Sequence, residues 1–155
     1  MKKFITIMLL MAFAIVASAQ SVTRTLPTIQ KGSTYLEYTA VAGDTLSTYQ
    51  DSIIFVVRYE NDWTTKWQVG ATFQKRSGND TLVTIRLSGK YFADESYPSS
   101  LAIGTTANVT TTSIQKTVAY ATANGYRYMR ISLQLLGMKS TGVKLKKLEI
   151  KLIQQ

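Results

Sequence analysis

The chain has 155 residues, 45% of them hydrophobic and 17% charged, with a formal net charge of +9. That length and balance fit one globular domain and exclude a disordered chain. It contains neither cysteine nor histidine, which removes disulfides, thiolate metal sites, cysteine nucleophiles, and the commonest general base and metal ligand.

The first nineteen residues have the layout of an export signal. Lys2 and Lys3 form a positive start, residues 4–16 are apolar except for Thr6, and Ala17-Ser18-Ala19 offers a small-x-small cleavage site before Gln20. The apolar run falls short of the roughly 20 residues that span a bilayer. The expectation is therefore a cleaved signal peptide, a secreted or extracellular product and no stable membrane span in the mature protein. A retained segment would instead be a packing or trimerising helix. No cysteine follows the run, so it is not a lipoprotein signal. Cleavage would leave a charge of +7.

Residues 20–33 are polar and include Pro27 and Gly32, which reads as a linker or arm. From there to residue 155 the pattern is that of a single β-domain. Strands are predicted over 34–42, 52–60, 66–75, 81–91, 112–120, 126–135 and 142–153, because the apolar positions recur with period two. Trp67, Val69, Ala71 and Phe73 alternate with polar residues, as do Met129, Ile131, Leu133 and Leu135. The continuous run Ile53 to Val57 suggests a central strand buried on both faces. Ser77-Gly78-Asn79-Asp80 reads as a hairpin turn, and Asn124-Gly125 as another turn. In the last strand the apolar phase shifts from Val143 and Leu145 to Leu148, Ile150 and Leu152, which predicts a β-bulge near Lys146-Lys147. Seven or eight such strands imply an all-β antiparallel sandwich or jelly roll behind the signal-like helix.

Few residues carry recognisable chemistry. Without histidine or cysteine, the conceivable enzyme is a two-carboxylate glycosidase using Glu60, Asp62, Asp94 or Glu95, but no spacing marks a pair. Asp62, Asp94 and Glu95 fit no calcium-loop motif either. The expectation is a non-enzymatic protein with no catalytic residue, cofactor or metal. Aromatic residues offer more. Tyr59, Trp63, Tyr91 and Tyr97 fall at predicted strand ends or loops, where a ring could stack on a sugar or a partner.

The last thirty residues hold seven basic residues against one acid. Lys144, Lys146 and Lys147 are read as contacts on a basic edge strand. Tyr126, Arg127, Tyr128 and Arg130 would be the nucleic-acid contacts, though no nucleic-acid-binding motif accompanies them and export argues against that partner. Asp44-Thr45-Leu46, Asp51-Ser52-Ile53 and Asp80-Thr81-Leu82 match a short O-glycosylation pattern of exported proteins in Bacteroides-type bacteria, and also match plain strand starts.

Four features of the second half occur together: the 68–88 hairpin, a Ser/Thr-rich connection over 99–113, the Tyr-Arg-Tyr-x-Arg-Ile strand from Tyr126 to Ile131, and the closing strand with Gly142, Leu145, Leu148, Ile150 and Leu152. In these the chain resembles small virion-associated proteins of phages infecting Bacteroides-type bacteria, the crAss-like phages among them. In place of the Ser-x-Asp-Gly-x-Tyr turn of that pattern it has Gly89-Lys90-Tyr91-Phe92-Ala93-Asp94. The resemblance implies a structural or decorating subunit of a virion that meets other protein subunits, as a homo-oligomer. The alternative is a secreted or cell-surface carbohydrate-binding module with a surface glycan as partner.

Overall fold

Alternating strands must bury one face each, and here they do so by stacking two sheets. The computed structural model describes residues 21–47, 51–60, 65–75, 82–98, 102–105, 115–123, 126–136 and 143–154. Their strands are β1 (Ser21–Thr25), β2 (Tyr35–Thr39), β3 (Thr45–Leu46), β4 (Ser52–Arg58), β5 (Thr65–Lys75), β6 (Leu82–Lys90), β7 (Ala102–Thr105), β8 (Gln115–Ala123), β9 (Tyr128–Leu136) and β10 (Val143–Gln154). The first sheet runs β1-β4-β9-β6-β7 and the second β2-β10-β5-β8, with β3 also on β10. Leaving out β1 and β3, the eight remaining strands wind between two four-stranded sheets, which is the jelly-roll arrangement. The all-β sandwich expected from period two is the fold of the protein.

The alternations of β5 and β9 deliver their apolar sides to the space between the sheets. Phe55, Trp67, Phe73, Ile85, Met129, Ile131 and Leu148 are among the fully buried side chains. Each buried Val, Leu, Ile or Phe contributes roughly 1.5–3 kcal/mol. Tyr59 and Trp67 meet edge to face at 6.1 Å. The bulge lies where the phase shift places it: the β5–β10 register steps from Leu145↔Phe73 to Lys147↔Thr72, skipping Lys146. The Lys146 carbonyl accepts instead from the Ala40 N–H at 3.1 Å.

Five expectations need correction. Residues 21–25 are not a linker but an edge strand, pairing parallel to β4 from Ser21↔Ser52 to Thr25↔Val56. Leu26 and Ile29 follow it into the core. The run 53–57 is fully buried only at Ile53, Phe55 and Val57, while Ile54 and Val56 on the outer face are half-buried. The 68–88 segment is not a hairpin, since β5 pairs with β10 and β8 whereas β6 pairs with β9 and β7. A polar turn does not say whether the chain reverses within one sheet or crosses to the other. The 99–113 connection contains β7, four residues without alternation. Finally, β10 is not an edge: β2 and β3 flank it on one side and β5 on the other. β10 therefore presents no unpaired basic edge to neighbouring subunits.

The signal-like segment, Asp62, Trp63, the 77–80 turn and Asn124-Gly125 lie outside the described residues. Among those described, no helix is long and apolar enough to cross a membrane.

Candidate functional site: an aromatic and basic cleft at the end of the first sheet

Where β6 ends and β9 begins, the loop of residues 91–98 closes a cleft of about 490 Å³, a size common for small-molecule sites. Its floor is Gly89, on which the Tyr126 ring lies. A Cβ added there would come within 2.6 Å of the Tyr126 Cγ, so no other residue fits without displacing the ring. Tyr91 stacks on Tyr126 with centroids 4.7 Å apart and planes tilted by 35°. Tyr91 stays 38% exposed and Phe92 beside it 63% exposed.

The loop holds its shape through its own polar groups. Glu95 Oε2 accepts the backbone N–H groups of Tyr91 (2.9 Å) and Phe92 (3.0 Å). Lys90 Nζ donates to the carbonyls of Ala93 (2.5 Å) and Glu95 (2.7 Å). The same ammonium sits 4.9 Å from the Tyr97 ring centre and 5.5 Å from that of Tyr128. The Arg130 guanidinium lies 5.0 Å from the Tyr97 centroid. Two cations thus share one tyrosine ring, whose negative face attracts both. Burial raises the Tyr97 phenol above its ordinary value, against the opposing pull of Arg130.

The sequence candidates divide as follows. Tyr91 and Tyr97 come together here, joined by Tyr126, Tyr128 and Arg130 from the basic-aromatic strand. Tyr59 does not join them: it is 2% exposed, packed on Trp67, and offers no free ring, because the strand end it occupies turns inward. Lys147 lies on the outer face of the other sheet, paired with Glu37 (3.3 Å) and Glu149 (3.4 Å), so its charge is largely answered within the protein. Lys144 and Lys146 are exposed on that side as well, away from the cleft. Two of the three glycosylation-like triplets lie at the starts of β3 and β4, with Asp44 and Asp51 buried, and Asp80 and Thr81 of the third lie outside the described residues. Among the described residues no group of three metal-ligating side chains occurs.

Sequence reasoning missed Lys90, Gly89 and the organising role of Glu95. Their only sequence signal is the Gly-Lys-Tyr-Phe string ending an alternating run.

No family model and no curated protein sequence matches the chain. Solved structures do share its fold. It superposes on the xylan-binding module CBM15 with a TM-score of 0.53 at 10% identity, covering 80% of this chain and 94% of that one. It also superposes on the mosquito-larvicidal Cry4Aa toxin of Bacillus thuringiensis with a TM-score of 0.52 at 8% identity, over 83% of this chain and 25% of that one.

Proposed function

We propose that the protein is a non-catalytic carbohydrate-binding module that acts outside the cell. The observation carrying this reading is the cleft itself: an exposed tyrosine stacked on a second one, over a glycine that leaves the rings room. A flat ring with a negative face suits the C–H face of a sugar, and the hydroxyl at its tip suits the sugar's rim. The loop carbonyls, Ser96 and the lysine supply hydrogen-bonding groups around that ring. The fold shared with a xylan-binding module supports the reading; a quarter of a toxin chain shares it too, so the site must decide.

A glycan array probed with the full chain tests it. Binding should be found, and Tyr91→Ala should weaken it about tenfold or more while the thermal midpoint barely moves, since an exposed ring contributes little to the core. An array without a bound glycan would remove the reading.

A further inference from the structure

The cleft adjoins, through Lys90, the outer face of the first sheet, and that face has an uneven charge. Cross-strand register lays it out in rows. Arg58, Tyr128 and Lys90 form the first, Val56, Arg130 and Ser88 the second, and Ile54, Ser132 and Arg86 the third. With strands about 4.8 Å apart and a rise of about 3.3 Å per residue, four cations occupy a patch of roughly 10 by 13 Å. Arg58 and Arg86 are exposed. None of Arg58, Arg86, Lys90 and Arg130 has an ion pair among the described residues, and no strand position of this face in β1, β4, β9, β6 or β7 carries Asp or Glu. The nearby Glu95 already accepts two backbone N–H groups. The outer face of the second sheet is built differently, with Lys147 set between Glu37 and Glu149.

The nearest acids lie off the strands, at exposed Glu60 beyond Arg58 and exposed Asp94 in the loop, so the four cations repel one another across the strands unless an anion lies between them. We propose that the ligand of this face is an anionic polysaccharide, its carboxylates or sulfates meeting Arg58, Arg86 and Arg130 while a sugar ring stacks in the Tyr91–Tyr126 cleft. The proposal rests on the carbohydrate reading of that cleft. Planar guanidinium groups suit both kinds of anionic group by paired hydrogen bonds. A glycan is favoured over a nucleic acid because, of the four tyrosines among these cations, only Tyr91 is exposed, while Tyr97, Tyr126 and Tyr128 are half-buried, so they do not offer the run of open ring faces on which successive bases would stack.

The test uses the full chain in affinity electrophoresis and calorimetry with polygalacturonate, the same polymer after carboxyl reduction, a sulfated glycan and a single-stranded oligonucleotide. At least one anionic polymer should bind, the reduced polymer should bind far more weakly, and affinity should fall steeply between about 0.1 and 1 M salt as the Debye length shrinks from about 10 to 3 Å. Arg58→Gln combined with Arg86→Gln should cost about tenfold or more, while Arg58→Lys combined with Arg86→Lys, which keeps the charges but not the paired hydrogen bonds, should recover only part of it. Both sites are exposed, and an unchanged thermal midpoint verifies the fold. Equal binding of the reduced polymer would overturn the anionic inference and leave the carbohydrate reading standing. Tighter binding of the oligonucleotide would overturn it in favour of nucleic acid. Binding of no polymer would overturn the anionic inference and leave the carbohydrate reading to the glycan array.

Discussion

Asp44 shows how one residue ties three parts of this chain together. Its carboxylate is fully buried and accepts from Arg24 Nε (3.1 Å) and the second guanidinium nitrogen (3.0 Å), from the Tyr38 hydroxyl (2.7 Å) and from the Val41 N–H (3.0 Å). Gly43, at φ +99°, makes the turn that brings Val41 over it, a conformation side-chain-bearing residues rarely adopt. Burial pushes the Asp44 carboxyl up, but the bonds from Tyr38, Val41 and Arg24 and the Arg24 charge outweigh it, and the balance lies below the ordinary value. The native state therefore binds this proton more weakly than the unfolded chain does. The resulting stability is present above the unfolded value of about 4 and is lost as pH falls through the lower folded value. Asp44→Asn should lower the urea midpoint at neutral pH by the equivalent of about 1.5–3 kcal/mol, with the gap to wild type closing below about pH 4. A gap that stays constant into strong acid would show that the charge is irrelevant. None of this was legible beforehand. Arg24 lies twenty residues upstream in a segment that reads as a linker, and Asp44-Thr45-Leu46 looks equally like a modification motif.

At the scale of the strand, the most legible feature is the one that depends on counting. Period two fixed which residues of β5, β9 and β10 enter the core, because a single-residue slip exchanges the two faces. Lys146 is the extra residue that lets Val143 and Leu145 share a face with Leu148, Ile150 and Leu152. Deleting Lys146 should force either the first pair or the last three outward and abolish the folded state, seen as loss of the β-sheet circular dichroism and of a cooperative melt. Lys146→Ala should melt within about 0.5 kcal/mol of wild type, since its side chain is exposed. A deletion variant that melts like wild type would mean that the ladder slides without cost. What period two could not supply is pairing. The alternation in β5 and β6 is equally good for a hairpin and for two strands in opposite sheets, and the partner is chosen by contacts far away in sequence. β1 and β7 escaped notice for a simpler reason: Ser-Val-Thr-Arg-Thr and Ala-Ile-Gly-Thr each carry too few apolar residues to show a period.

For the molecule as a whole, the class of fold followed from the number and spacing of the strands, while the site did not, because it joins residues 89–98 to residues 126–130 across β6 and β9. The same closure by distant segments sets where the domain begins. β1 covers the outer edge of β4, and the chain after it remains attached: the N–H groups of Leu26 and Ile29 donate to Val56 and Arg58 carbonyls at 2.8 Å, and the Glu60 N–H to the Ile29 carbonyl at 3.1 Å. Leu26 and Ile29 are 6% and 3% exposed. A chain begun at Thr34 would lose both side chains, the Arg24 contact to Asp44 and the cover of β4. Losing the two apolar side chains alone removes about 3–6 kcal/mol, out of the 5–15 kcal/mol typical of a domain, and bares a strand edge that invites intermolecular pairing. Compared with a chain begun at Gln20, the shortened one should melt more than about 10 °C lower and should aggregate at concentrations where the longer one stays dispersed. Equal melting of the two would return residues 20–33 to the role of a dispensable arm and would place the start of the domain at β2.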